Sequence, residues 1–86
     1  MTRQELSVSV INALRPFTPG RKSADINPSM KLVVDLDINS ARLVDIVLEL
    51  EDRFGISIED SAMDEFLTVG DVIDLVDSRI SKQLVS

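Results

Sequence analysis

Apolar residues recur at helical intervals in three separate segments of the chain, and this periodicity limits the possible folds more than any other feature of the sequence. Residues three and four positions apart lie on one side of a helix, so each segment predicts a helix with one buried face. The three sets are Leu6, Val10, Ala13 and Leu14; Leu43, Ile46, Val47, Leu50 and Phe54; and Val69, Val72, Ile73, Val76, Ile80 and Leu84. We therefore expect three core-facing helices.

Residues with helix-capping chemistry bound these segments. Two threonines precede an acidic residue by three positions, the spacing of a capping box in which side chains satisfy free backbone N–H groups. These pairs are Thr2 with Glu5 and Thr68 with Asp71. The second helix is expected to run from about Ser40 to Phe54 and to end at Gly55, because glycine adopts the left-handed conformation of a C-terminal cap freely.

The segment 16–39, between the first two helices, contains turn-forming Pro and Gly residues and no helical period. We expect a long loop that apolar side chains hold to the core. These side chains are Ile26, Met30, Leu32, Val33 and Leu36. Residues 31–34 have a strand-like composition, but a lone strand has no expected pairing partner. With a short helix over 59–65, the predicted fold is all-α: a small four-helix bundle, with three longer helices and one short one, in a single domain over residues 1–86.

The residue types missing from the chain exclude several functions. There is no cysteine and no histidine, which excludes disulfides, a thiol nucleophile and the usual general base. A hydrolase built on carboxylates would need two acids in an inward-facing cleft, whereas the acids of the second helix fall on its outer side. We therefore do not expect an enzyme.

Negative charge is concentrated in the middle of the chain. The net charge is −6, and residues 35–65 carry ten acidic and two basic side chains. Binding to nucleic acid is not expected, because its phosphates would be repelled. No apolar run of about 18 residues predicts a membrane span, and residues 1–14 lack the pattern of a signal peptide. We expect a cytoplasmic monomer.

The stretch DLDINS, residues 35–40, begins like an EF-hand calcium loop, with oxygen ligands at Asp35, Asp37 and Asn39. Such a loop also needs glycine at its sixth position and glutamate at its twelfth. These positions are occupied by Ser40 and Ile46. A calcium site of this type is therefore not expected.

Ser40 has a local interpretation and a broader one. Asn and Ser are both favoured helix N-caps, so either Asn39 or Ser40 suits the start of the second helix. From Asp35 onward, however, the chain resembles the acyl carrier protein family without a gap. The family motif Asp-Leu-Gly-x-Asp-Ser-Leu corresponds to residues 35–41, and Glu-Glu-x-Phe-Gly corresponds to residues 51–55. The stretch FLTVGDVIDLV, residues 66–76, is similar to the start of the family's last helix.

This resemblance implies a carrier that catalyses nothing itself. In the family, the serine matched by Ser40 carries 4′-phosphopantetheine, which a phosphopantetheinyl transferase moves from coenzyme A. Acyl groups are then held as thioesters on the arm. The implied partners are acyl-transferring, synthase or ligase enzymes with basic docking patches, in fatty-acid, lipid or polyketide-type biosynthesis. The absence of cysteine is compatible with this role, because the arm brings its own thiol.

The resemblance also implies a docking surface on and after the second helix. Val44 and Leu48 match exposed apolar contacts of the family, although burial in the core is an equal alternative for both. The acidic side chains match docking positions for basic partners, with solubility as the alternative explanation. They are Asp45, Glu51, Asp52, Asp60 and Asp64. Glu49 lies on the same face and is included in the predicted docking surface, although the family often has a small residue there.

Several residues around Ser40 depart from the family pattern. Asn39 replaces the usual aspartate, and Ala41 replaces the usual leucine. Arg42 lies where an acidic residue is common, and Asp37 replaces glycine. The predicted surroundings of the attachment site are Asp35, Asp37, Asn39, Ala41 and Arg42. These departures favour a specialised carrier with its own transferase or synthase, rather than the housekeeping carrier of fatty-acid synthesis. The alternative is an unmodified acidic helical module for protein interactions.

Overall fold

Three α-helices form the framework of the protein. The computed structural model describes residues 2–85, without the side chains of Ser23 and residues 82–85. The helices are α1 (Arg3–Leu14), α2 (Leu43–Phe54) and α3 (Val69–Val85), and a short 3₁₀ helix (Asp60–Glu65) lies between α2 and α3. Residues 2–85 contain no β-strand. The all-α fold with three longer helices and one short helix is therefore confirmed.

Both predicted threonine caps form, and the cap of Thr68 with Asp71 is a complete, reciprocal capping box. At the start of α1, Thr2 Oγ1 accepts a hydrogen bond from Glu5 N at 3.1 Å. At the start of α3, Thr68 Oγ1 accepts one from Asp71 N at 3.2 Å, and Asp71 Oδ2 accepts one from Thr68 N at 2.9 Å. Gly55 ends α2 in the left-handed conformation, with φ of 65°. The helix ends therefore follow from local side-chain chemistry.

The predicted apolar faces meet in one core. The helical core positions are buried or packed against buried residues, with Leu14, Leu50 and Val76 each fully buried. Leu84, predicted to extend the face of α3, lies outside the described side chains. Within the described part of the chain, no helix is both long and apolar enough to cross a membrane. Helices this short are only marginally stable in isolation, and burial of their apolar faces supplies most of their stabilisation.

The long loop between α1 and α2 is fastened by its backbone to the start of α3. Leu32 N donates to Leu67 O at 3.0 Å, and Val69 N donates to Met30 O at 3.0 Å. Lys31 and Thr68 form an isolated antiparallel bridge. The expectation that residues 31–34 have no pairing partner was therefore wrong. Thr68, the residue before α3, supplies that partner, and no periodic pattern predicts so short a pairing.

One of the predicted loop anchors was also wrong. Ile26, Leu32 and Leu36 are buried and Met30 is partly buried, as expected, but Val33 is 46% exposed. Lys31 O accepts hydrogen bonds from both Asp35 N and Leu36 N, which closes a turn over residues 31–36. This turn directs its two leucines inward and its central valines outward.

Ile38 is a loop anchor that the sequence analysis missed. Its side chain is 1% exposed, and its backbone N–H donates to Leu32 O at 3.0 Å. Residues 34–39 alternate between apolar and polar, which places Ile38 on the same side as Leu36, and this signal was not used. Together, Leu36 and Ile38 fix the chain just before the second helix begins.

Ion pairs add contacts between elements at the surface. Arg3 on α1 pairs with Asp74 and Asp77 on α3. The hydrogen bond to Asp74 raises the pKa of the Arg3 guanidinium. Arg79 on α3 pairs with Glu59, just before the short helix. Pairs this exposed contribute little free energy, so the core and the loop anchors carry the fold.

The loop anchoring predicts unequal effects for two neighbouring substitutions. Leu32→Ala should lower the free energy of unfolding by about 3 kcal/mol, because it leaves a cavity at a fully buried site. Val33→Ala should lower it by about 0.5 kcal/mol, since that side chain is largely in water. Urea denaturation followed by circular dichroism measures both. Equal losses of unfolding free energy would contradict the buried position of Leu32 and the exposed position of Val33.

Candidate functional site

Ser40 begins a single 3₁₀ turn, Ser40–Arg42, that continues directly into α2. Asn39 is the N-cap of this turn: its side-chain oxygen accepts from Ala41 N at 2.9 Å, and its backbone oxygen accepts from Arg42 N at 2.8 Å. Of the two candidate caps, Asn39 and Ser40, Asn39 is therefore the N-cap. The hydroxyl of Ser40 is left exposed, and within residues 2–85 it makes no side-chain hydrogen bond.

The electrostatic setting of Ser40 favours an anionic substituent, mainly through the helix dipole. The 3₁₀ turn and α2 place the positive end of a helix at this serine. The N–H groups of Ala41 and Arg42 already bond to Asn39. A phosphodiester on Ser40 would therefore gain from the dipole more than from direct backbone donors.

Asp35 holds the turn that precedes the serine. Its carboxylate accepts a hydrogen bond from Lys31 N at 2.7 Å, and its carbonyl oxygen accepts one from the Arg21 guanidinium at 2.7 Å. The next residue, Leu36, is buried. Asp35 therefore has a structural role, and it keeps the segment that leads to Ser40 in place.

Asp37 adopts a left-handed backbone conformation, with φ of 56°. The motif of the resembling family has glycine at this position, and glycine takes this conformation without steric cost. Aspartate is among the few other residues that tolerate it. The substitution therefore keeps the backbone path and adds an exposed carboxylate three residues before Ser40.

The outer face of α2 presents an apolar strip next to the serine. Val44 is 48% exposed, Leu48 is 57% exposed, and Ala41 is also exposed. The alternative that Val44 and Leu48 belong to the core is therefore wrong. Residues 40, 44 and 48 follow one another at four-residue intervals, so they form a ridge along the helix that starts at Ser40.

The acidic residues predicted for docking differ in their surroundings. Asp45 pairs with Arg42 at 3.4 Å, and Glu49 pairs with Arg53 at 3.1 Å. Glu51 is only partly exposed, and its carboxylate accepts a hydrogen bond from Ile58 N at 2.8 Å. The remaining three are exposed and make no ion pair with any described residue. They are Asp52, Asp60 and Asp64.

The comparisons with known proteins agree with this geometry. A family model described as a phosphopantetheine attachment site matches residues 19–76, a range that contains Ser40 and the ridge. The chain is similar to the acyl carrier protein of Exiguobacterium sibiricum, with 30% identity over 80 residues that cover 93% of this chain and 100% of the relative. It is also similar to the acyl carrier protein of Thermotoga maritima, with 26% identity over 80 residues that cover 93% of this chain and 99% of the relative.

Specialised carriers are among the relatives. The meromycolate extension acyl carrier protein of Mycobacterium tuberculosis is 33% identical over 73 residues, which are 85% of this chain. The match spans 63% of that protein's length.

The left-handed conformation of Asp37 predicts an unusual order of stability between two variants. Asp37→Gly should be more stable than Asp37→Ala by about 1 kcal/mol, because only alanine pays the steric cost of this conformation. Both changes remove the same carboxylate, so the comparison isolates the backbone. At ordinary helical or extended positions alanine is favoured over glycine. Urea denaturation that shows alanine to be the more stable residue would contradict the assigned backbone.

Proposed function

The chain belongs to the acyl carrier protein family, and from this premise we propose that it carries acyl groups as thioesters on a 4′-phosphopantetheine arm attached to Ser40. The observation that carries the proposal is the state of the Ser40 hydroxyl. It is exposed, it is not used as a helix cap, and it lies at the start of α2 inside the matched range.

Attachment of the arm requires only the serine from this chain. In the proposed step, Ser40 Oγ attacks the coenzyme A phosphorus that bears the pantetheine. A new O–P bond forms, the bond to the nucleotide phosphate breaks, and adenosine 3′,5′-bisphosphate leaves. In this step the serine proton passes to a base on the transferase, since no described side chain hydrogen-bonds to the Ser40 hydroxyl.

The chain's own residues then present the arm. Asn39 caps the turn, so the Ser40 hydroxyl is not needed as a cap, while Leu36 and Ile38 fix the preceding segment to the core. The arm supplies the thiol that a cysteine-free chain lacks. The carrier catalyses nothing, and the chemistry on the thioester belongs to the partner enzymes.

The proposed partners are a phosphopantetheinyl transferase and acyl-transferring, synthase or ligase enzymes with basic patches. Their contact surface includes the exposed ridge of Val44 and Leu48 and the acidic residues of α2 and the short helix. We also propose that the protein is a single-domain monomer in the cytoplasm, as expected from the sequence. The mycobacterial relatives, named for meromycolate extension, support fatty-acid or lipid biosynthesis as the pathway class.

The proposal predicts a modification that depends on one hydroxyl. Incubation with coenzyme A and a phosphopantetheinyl transferase should raise the intact mass of the wild-type chain by one phosphopantetheine. Ser40→Ala should show no gain, because no other serine is at the matched position.

Ser61→Ala is the matched control for this experiment. Ser61 is also exposed and lies in the short 3₁₀ helix, so its substitution removes an equivalent hydroxyl elsewhere. The control should gain the full mass. An equal gain in Ser40→Ala would contradict the proposed attachment site.

A further inference from the structure

The start of α2 beside Ser40 carries one cation and one anion, and the exposed carboxylate of Asp37 lies three residues before the serine. Arg42 and Asp45 are the only charged residues between Ser40 and Leu48. They contact each other at 3.4 Å, with side chains 64% and 51% exposed. A pair this exposed and this long binds weakly, so the Arg42 guanidinium is available to another carboxylate.

The opposite end of the face is strongly negative. Asp52 lies near the end of α2, and Asp60 and Asp64 follow on the short helix; all three are exposed and make no ion pair with any described residue. Twelve residues separate Ser40 from Asp52, which corresponds to about 18 Å along a helix. The face therefore has an available cation near the serine and unpaired anions at its distant end.

Arg53 does not change this distribution of charge along the face. Its guanidinium contacts one oxygen of Glu49 through two nitrogens, at 3.1 and 3.3 Å. Both side chains are less exposed than those of the Arg42–Asp45 pair. Arg53 is therefore occupied by its own helix, whereas Arg42 is more accessible to a partner. The apolar ridge of Val44 and Leu48 lies between the two charged ends.

We infer that the transferase that docks on this face presents an acidic side chain to Arg42 and basic side chains to Asp52 and Asp60, on either side of an apolar contact with Val44 and Leu48. This inference rests on the proposed function and specifies the partner. Complementary charges steer encounter and reject mismatched surfaces. Arg42 at the serine end and the anions at the distant end differ in sign, so a complementary partner is favoured in one direction along α2, with its active site at Ser40.

The alternative is a partner surface that is basic throughout. Reversing the charge of single residues on the carrier distinguishes the two arrangements. We would measure kcat/KM for transfer from coenzyme A by the phosphopantetheinyl transferase of the chain's own cell. Arg42→Glu should lower kcat/KM about tenfold, because it sets two carboxylates against each other. Arg53→Glu, an equal charge reversal on the same helix, should change it by less than about threefold. Arg42→Lys should retain most of the wild-type value.

Each outcome decides the question. If the partner surface is uniformly basic, both reversals make the carrier more attractive and raise kcat/KM, which would overturn the inference. An unchanged Arg42→Glu variant would also overturn it. At about 1 M salt the Debye length falls to about 3 Å, so the loss should shrink if charge is its cause. Absence of any mass gain on the wild-type chain would instead contradict the proposed function, and the inference with it. Circular dichroism of each variant verifies that its helices are intact.

Discussion

The fastening of the long loop to the start of α3 is the constraint on which the functional site depends. Leu32 and Met30 exchange backbone hydrogen bonds with Leu67 and Val69, and the side chain of Leu32 is fully buried beside them. Without these contacts, more than twenty residues would separate two helices with nothing to fix their path. These contacts fix the path of the backbone that leads to Ser40.

At the site, a segment fixed to the core leads to Ser40, whose hydroxyl is exposed and available to react. Asn39 performs the capping that a serine at a helix start would otherwise perform, so the Ser40 hydroxyl stays available. The same residue replaces the aspartate usual in the family at this position, so the cap is kept while a charge is lost. Together with Arg42, this change adds positive charge relative to the family pattern, whereas Asp37 adds a carboxylate. The departures from the family pattern therefore alter the charges that a partner meets.

Much of this architecture could be predicted from the sequence, because it rests on local chemistry and helical period. The capping box of Thr68 and Asp71 and the cap at Gly55 are examples. The errors fall in the long loop, where no helical period constrains the side chains. Val33 was expected inside but is exposed in the turn closed at Lys31, and Ile38, in the alternating stretch 34–39, was not considered. At the site, the motif alone predicts the serine as the attachment residue, whereas the pairing of Asp45 and Glu49 with arginines required the structure.

The central claim is that Ser40 carries the arm, and one peptide tests it directly. Cleavage after lysine and arginine releases residues 32–42, LVVDLDINSAR, in which Ser40 is the only hydroxyl-bearing side chain. Mass spectrometry of this peptide, from protein purified from its own cell, should show the mass of phosphopantetheine with or without a thioester-linked acyl group. An unmodified 32–42 peptide, together with phosphopantetheine on a different peptide, would contradict the account.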